Sequence, residues 1–230
     1  MYIVHLILKM AYTGDKFLLA VDCVIFGFNG TKLELLLVKR DVEPEKGAWT
    51  LMGGFLKDEE HLDTASARIL QSLTGLDNVY MDQLKVYGNR ARDSGGRVLS
   101  SAHYALINTR DKHQKLSVDY EASWFTLEAL PKLIFDHKEM VEDAREKLKE
   151  QASLKPIGFN LLPNNFTLPQ LQKLYEAIYD TEFDKRNFSK RMLATGALLK
   201  QADKDKSASK KGAYYYEFNP EMISKDFKFL

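Results

Sequence analysis

Hydrophobic positions in the first 150 residues fall into short runs and alternations of the kind that β-strands bury. Two stretches instead place apolar residues three and four positions apart, which is typical of one helix face. The predicted strands cover residues 17–28, 33–40, 49–56, 79–88, 98–108 and 122–127, and the predicted helices cover residues 58–74 and 137–151. This order of elements predicts an α/β/α sandwich around a mixed sheet.

The pattern changes at residues 155–165, which are rich in proline, glycine and asparagine and are therefore typical of loops. Thr167 is a good N-cap for a helix that ends near Asp180. Asp184 caps a second predicted helix, residues 185–195. A second structural unit therefore begins after the break.

The last part of the chain predicts a β-hairpin next to these two helices. Phe188, Met192 and Leu193 are expected to face inward from the second helix. Residues 197–201 and 213–218 can pair as strands, and the polar segment between them is rich in lysine. Helix, helix and basic hairpin follow each other in the order of a winged helix-turn-helix.

The charge distribution singles out the same region. The whole chain has a formal net charge of +1, whereas residues 183–212 contain nine lysines and arginines against three aspartates. A basic segment on a nearly neutral chain indicates contact with a polyanion, although a solvated lysine-rich hairpin would have the same composition.

The second helix has the residue types that read DNA. Arg186, Asn187 and Ser189 turn outward when Phe188 and Met192 face inward. Arginine can form bidentate hydrogen bonds with guanine and asparagine with adenine, while lysine and serine contact phosphates. The predicted DNA contacts are Lys185, Arg186, Asn187, Ser189, Lys190 and Arg191 on the helix, and Lys204, Lys206, Lys210 and Lys211 on the hairpin. A surface helix with an ordinary share of charge is the alternative interpretation.

A second motif lies at the first predicted helix. The Nudix signature is G-x5-E-x7-R-E-U-x-E-E-x-G-U, where U is aliphatic, and it is matched by Gly54, Glu60, Arg68, Leu70, Gly75 and Leu76. Ile69, Ser72 and Leu73 stand where the signature has glutamates. In the Nudix family those glutamates hold the metal that activates water, and Mg²⁺ and Mn²⁺ need hard oxygen ligands. The departure predicts a Nudix fold with no catalytic residues, no metal and no cofactor.

The whole chain resembles the Nudix-related transcriptional regulators over residues 16–218. The landmarks beyond the box are residues 135–137, 160–163, 166–168, 174–176, 186–188 and 214–218. The resemblance implies an α+β chain with a Nudix-like effector-sensing domain at residues 1–154, including an N-terminal extension at 1–15, and a winged helix-turn-helix DNA-binding domain at 155–230. One departure is Ser189, where the family often has a second arginine.

The resemblance also suggests what the first domain senses. It is nearest to the Bacteroidetes branch that regulates pentose use, and this implies a repressor of sugar catabolism that responds to a pentose such as L-arabinose. Other branches regulate NAD metabolism and sense ADP-ribose. By analogy, the effector, a sugar or nucleotide-sugar, is expected in the Nudix cleft. The candidate contacts are Arg40, Trp49, Glu59, Glu60, Arg90, Arg92, Asp93 and Tyr104.

The sequence interpretation is therefore a cytoplasmic homodimer that binds a double-stranded DNA operator. A dimer is expected because helix-turn-helix proteins usually read two half-sites. The apolar N-terminal stretch is too short to span a membrane, and the single Cys23 permits no intrachain disulfide. Three alternatives remain: an ADP-ribose sensor of NAD metabolism, a residual Nudix pyrophosphohydrolase that uses Glu59 and Glu60, and a protein-binding adaptor.

Overall fold

A computed structural model describes residues 14–109, 116, 121–207, 210–224 and 227–229 of the chain. Most of the predicted N-terminal extension, residues 1–13, lies outside the described residues. No helix in the described part of the chain is long and apolar enough to cross a membrane.

The first unit is built on a mixed sheet. Its strands are β1 (Leu18–Phe28), β2 (Leu33–Lys39), β3 (Trp49–Thr50), β4 (Met52–Phe55), β5 (Tyr80–Tyr87), β6 (Val98–Ile107) and β7 (Ala122–Thr126). The central path runs β3-β2-β1-β6-β5, while β4 pairs with β1 and β7 pairs with β2. The β1 and β6 strands are parallel and the other pairs are antiparallel, so the predicted mixed sheet is confirmed.

One helix packs on each face of this sheet. On β1, Ile25 belongs to the apolar cluster beneath α1 (Leu62–Thr74), whereas its neighbour Phe26 belongs to the cluster beneath α2 (His137–Leu154). Successive strand residues point to opposite faces, so an unbroken apolar run is buried on both sides. Cys23 is fully buried on the α1 side, and burial raises the pKa of its thiol. This thiol is a packing residue.

The second unit contains two helices and a three-stranded sheet. Its elements are β8 (Phe166–Thr167), α3 (Leu168–Tyr179), α4 (Lys185–Ala194), β9 (Leu198–Asp205) and β10 (Ala213–Phe218), with sheet order β8-β10-β9. Thr167 caps α3 with a reciprocal pair: its Oγ1 accepts from the Gln170 N–H, and its own N–H donates to Gln170 Oε1 at 2.8 Å. The predicted winged helix-turn-helix is confirmed.

The two units share one apolar core. Residues 156–161, predicted as loop, form a 3-10 helix whose Ile157 and Phe159 are buried in the cluster that also contains residues of α2, α3 and α4. Near the C-terminus, Phe229 packs edge-on against Tyr175, and its N–H donates to the Ser153 carbonyl at 3.0 Å. The chain break seen in the sequence is therefore a packed junction.

Candidate functional site

The loop of the Nudix-type box is held on α1 by an ion pair. Arg68 donates from Nη2 to Glu60 Oε2 at 2.8 Å and from Nε to the other carboxylate oxygen. The Lys57 N–H also donates to Glu60. The hydrogen bond from Arg68 holds the pKa of Glu60 down at about 2. Because this loop is fixed to the helix as a turn, α1 begins at Leu62, four residues after the predicted start.

The three substituted box positions do not form a metal site. Ile69 and Leu73 are buried in the apolar cluster between α1 and the sheet. Ser72 Oγ donates to the Ile69 carbonyl at 2.7 Å, as a helical serine commonly does. Within the described residues no group of three or more histidines, cysteines, aspartates or glutamates could hold a metal ion. The side chains present therefore do not fit the metal that a Nudix fold implies.

A cavity of about 290 Å³ opens where β1, β2 and β4 approach the loop that carries Arg92. Arg92 donates two hydrogen bonds of 2.9 Å to Asp136, and its Nη2 lies 3.5 Å from Asp22 Oδ2. Ser100 Oγ donates to the same Asp22 oxygen at 2.6 Å. All three charged side chains are nearly buried. We call them the Asp22–Arg92–Asp136 cluster.

His137, the first residue of α2, lines the same cavity. The Leu51 N–H donates to His137 Nδ1 at 3.2 Å, so this nitrogen is an acceptor and Nε2 carries the hydrogen. Nε2 lies 3.8 Å from Asp22 Oδ2. Burial lowers the pKa of His137, and the negative charge of Asp22 opposes that shift only in part. The neutral ring therefore presents one N–H at the cavity wall.

Gly53 makes room for the buried carboxylate. It lies opposite Asp22 in the pairing of β1 with β4. A Cβ built at Gly53 would lie 2.1 Å from Asp22 Oδ1 and 3.1 Å from the Val21 carbonyl oxygen, which is backbone and cannot swing away. The glycine is therefore required for the close approach of β4 to the carboxylate.

Three of the eight predicted effector contacts line this cavity, namely Arg40, Arg92 and Asp93. Arg40 Nε donates to the Pro44 carbonyl at 2.5 Å, and its guanidinium lies 5.4 Å from the Phe135 ring centroid. Asp93 Oδ1 accepts from the Gly95 N–H at 2.7 Å. These contacts fix the polar rim of the cavity.

The other five predicted contacts lie elsewhere. Tyr104 is fully buried on the α2 face, with its hydroxyl 3.3 Å from that of Tyr80. It shares this face with Asp22, but it pairs with Val24, farther along the strands, where the apolar core is packed. Trp49 packs edge-on against Phe125. Exposed Glu59 and Arg90, and the ion-paired Glu60, do not belong to the lining either.

Sequence reasoning missed several residues that build the cavity. The clearest is Asp22, whose signal was a lone charge inside an otherwise apolar strand. Asp136 and His137 belong to the landmarks of the family resemblance, but no local pattern assigns them to a cavity. Thr50 also lines the cavity, and its Oγ1 lies 3.1 Å from His137 Nδ1.

On α4, the basic residues form one exposed face. Asp184 Oδ1 accepts from the Asn187 N–H at 2.9 Å and caps the helix. Phe188 and Met192 are buried as predicted, whereas Leu193 is 47% exposed, so its predicted inward position is wrong. The buried residues Phe188 and Met192 are four positions apart and form a narrow stripe along the helix, and position 193 lies outside this stripe. The exposed residues are Lys185, Arg186, Asn187, Lys190 and Arg191, and Ser189 is half-buried.

The hairpin of β9 and β10 carries a second basic surface. β9 continues to Asp205, four residues beyond the predicted strand. Asp205 pairs with Ala213 of β10, so the loop between the two strands is shorter than predicted. This extension puts Lys204 Nζ 4.2 Å from the centroid of the Tyr214 ring. Lys200, within the predicted strand, has its Nζ 3.7 Å from the same centroid. We call these three residues the Lys200–Tyr214–Lys204 cluster. Lys206, Lys210 and Lys211 are exposed around the loop.

Family models cover most of the chain. A model of the NUDIX domain matches residues 16–144, and a model of the NrtR DNA-binding winged helix domain matches residues 158–218. These matches coincide with the α/β/α sandwich and with the helix, helix and hairpin unit.

Two curated relatives match different lengths of the chain. The ADPR responsive transcriptional repressor NtrR of Acinetobacter baylyi is 33% identical over 205 residues, which are 87% of this chain and 82% of the relative. The ADP-ribose pyrophosphatase of Methanocaldococcus jannaschii is 35% identical over 125 residues, which are 54% of this chain and 70% of the relative.

Two solved structures are also similar. Shewanella oneidensis NrtR complexed with a 27mer DNA has a TM-score of 0.81 at 28% identity and covers 92% of this chain and 97% of its own. The NUDIX domain of the same protein complexed with ADP ribose has a TM-score of 0.52 at 30% identity, and it covers 61% of this chain and 96% of its own.

Proposed function

Because the chain belongs to the NrtR family of Nudix-related transcriptional repressors, we propose that it represses transcription and responds to ADP-ribose. The proposal depends chiefly on one observation, the solvent-exposed basic face of α4 beside a lysine-rich hairpin. The similarity to an NrtR bound to a 27mer DNA supports the use of these elements on DNA. In this proposal residues 1–154 sense the effector and residues 155–230 bind the operator.

In the proposed complex of this chain with its operator, the N-terminal end of α4 enters the major groove. Arg186 and Asn187 are exposed at that end and are suited to contact base edges, while Lys185, Lys190 and Arg191 contact phosphates. Lys204, Lys206, Lys210 and Lys211 approach the backbone from the wing. Two copies of the chain bind two half-sites of one operator as a homodimer.

ADP-ribose binds at the cavity beside the Asp22–Arg92–Asp136 cluster. Its hydroxyls are matched by carboxylate acceptors at Asp22 and Asp93 and by the Nε2–H of His137. Lys39 and Arg40, which also line the cavity, are suited to the diphosphate. The ligand extends past the cavity mouth, because about 290 Å³ is at the small end for ligand pockets.

ADP-ribose replaces L-arabinose as the favoured effector. The expectation of a pentose rested on resemblance to one branch of regulators, without a sugar motif in the residues. Of the similar proteins described above, one is an ADPR responsive repressor and one is a NUDIX domain complexed with ADP ribose. None of them is described as acting on a pentose or in sugar catabolism. Regulation of carbohydrate use is therefore not part of the proposal.

Helix α2 is suited to connect the cavity to the DNA-binding unit. It begins with His137 at the cavity and spans roughly 27 Å for its 18 residues. Nearer its C-terminal end the hydroxyl of Tyr179 on α3 donates to the Lys149 carbonyl at 2.9 Å, and at its middle Arg145 pairs with Asp180 at 3.1 Å. A ligand that moves His137 would therefore shift α3, provided that it binds the two arrangements with unequal affinity.

A residual hydrolase is the competing function, and the similarity to an ADP-ribose pyrophosphatase is the observation that favours it. A hydrolase of this fold needs carboxylates on α1, where this chain has the buried Ile69 and Leu73 and the hydrogen-bonded Ser72. We therefore propose binding of ADP-ribose without cleavage.

Titration of the full chain with ADP-ribose, followed by calorimetry and by analysis of the products, tests both functions. The proposal expects saturable binding that weakens in Arg40→Ala and is unchanged in Lys138→Ala, an exposed lysine on α2. It also expects intact ADP-ribose after incubation with Mg²⁺ or Mn²⁺. Release of AMP and ribose phosphate would show the hydrolase instead, and absence of binding would overturn the choice of effector.

A further inference from the structure

A second cavity, of about 530 Å³, lies on the opposite face of the sheet from Tyr104. It is bounded by α1, β5 and β6, and the proposed function does not use it. Its apolar walls are Ala67, Leu70, Leu76, Val79 and Met81. The remaining lining is polar, so the cavity combines a surface for methylene groups with a set of hydrogen-bonding atoms.

His103 gives this cavity an unused acceptor. The residue is only 2% exposed, and its Nδ1 lies 3.3 Å from the Ser101 carbonyl oxygen. A carbonyl only accepts, so Nδ1 carries the hydrogen and Nε2 is left as an acceptor. Nε2 is buried and has no hydrogen-bond partner among the described residues. Burial lowers the pKa of His103, which keeps the ring neutral and the lone pair available at neutral pH.

The acidic and basic residues of the lining are unequal in number, and the lining is negatively charged. Asp63 and Asp77 contribute two carboxylates, and no lysine or arginine is part of the lining. The carboxylate of Asp82 is not one of them, because Asp82 pairs with Tyr104 and therefore points to the α2 face. Gln83 adds another acceptor, because its Nε2 already donates to Ser101 Oγ at 3.0 Å and its amide oxygen remains. Buried polar groups normally have partners, so an unpartnered acceptor in a cavity lined by carboxylates indicates that a donor is missing.

We propose that this cavity binds a small organic cation, an alkyl chain that ends in a primary ammonium or guanidinium group. The N–H groups donate to His103 Nε2 and to the carboxylates, and the methylenes lie along Leu70 and Met81. A bare divalent metal fits less well, since no three potential ligands converge closely enough in the described part of the chain. This site is independent of ADP-ribose binding and of DNA binding.

Calorimetry of the full chain with 1,5-diaminopentane, agmatine and spermidine tests the proposal, with 1,5-pentanediol as the uncharged matched ligand. At least one of the three amines should bind, and the diol should not. Asp63→Asn should weaken that binding about 10- to 100-fold, because a hydrogen bond to a charged group is being lost. Asp58→Asn, which removes an exposed carboxylate outside the lining, should leave it unchanged.

The ¹⁵N shift of His103 Nε2 provides a second readout, because it moves when a donor reaches the nitrogen. His103→Leu should retain the fold, since it replaces a buried ring by an apolar group, and should lose amine binding. Equal affinity for the diol, binding that His103→Leu and Asp63→Asn leave intact, or saturation by Mn²⁺ in place of the amines would each overturn the proposal. Absence of binding by all three amines would also overturn it.

Discussion

The Lys200–Tyr214–Lys204 cluster should supply two phosphate contacts that act on any DNA sequence. Both ammonium groups lie within 4.2 Å of the centroid of the exposed Tyr214 ring, so the wing carries two positive charges at one place. Each phosphate contact contributes about 0.9 to the slope of log affinity against log salt. Changing both Lys200 and Lys204 to alanine should therefore make the slope shallower by about 1.8.

The corresponding loss of affinity is large at low salt. Over a fourfold range, from about 50 to 200 mM salt, a slope difference of 1.8 changes the ratio of wild-type to variant affinity about 12-fold. Fluorescence anisotropy with an operator duplex and with a scrambled duplex measures this ratio, and the loss should be the same on both. Lys138→Ala serves as the control, because it removes an exposed lysine of α2. An unchanged slope in the double variant would refute the assignment of the cluster to the DNA backbone.

Three further predictions concern the recognition helix, the cavity and the box loop. Arg186→Ala should cost about 1–3 kcal/mol on the operator and much less on scrambled DNA, as measured by anisotropy, and equal losses on both would argue against base contact. Arg92→Leu should destabilise the fold by about 3–5 kcal/mol in urea denaturation, because it leaves two nearly buried carboxylates without their cation. Glu60 has a depressed pKa, so its contribution to stability is present above pH 4.5 and is lost as pH falls towards 2. Glu60→Gln should therefore flatten the acid dependence of the unfolding free energy across that window, and an unchanged profile would contradict the ion pair with Arg68.

The elements of the fold could be predicted from the sequence because the periodic patterns were strong. Thr167 and Asp184 cap the two helices of the winged unit as expected, and their hydrogen bonds are local. Boundaries were less accurate where distant contacts decide them. α1 begins late because Glu60 is held by Arg68, and β9 continues into a polar segment because it pairs with β10.

The cavity could be predicted only in part because its residues meet through tertiary packing. Asp22, Arg92 and Asp136 are far apart in the chain, and nothing local links them. Trp49 and Tyr104 are residue types that suit aromatic ligand contacts, but Tyr104 is buried in the core and Trp49 packs edge-on against Phe125. The DNA-binding residues were easier to propose, because one helix and one hairpin carry them all in sequence order.

The most direct test of the regulator proposal is selection of fragmented genomic DNA of the source organism on the purified chain, with and without ADP-ribose. The account predicts enrichment of one site with two related half-sites, and loss of that enrichment when ADP-ribose is added. Failure to enrich any sequence, with or without ADP-ribose, would contradict the central claim that this chain is an ADP-ribose-responsive DNA-binding repressor.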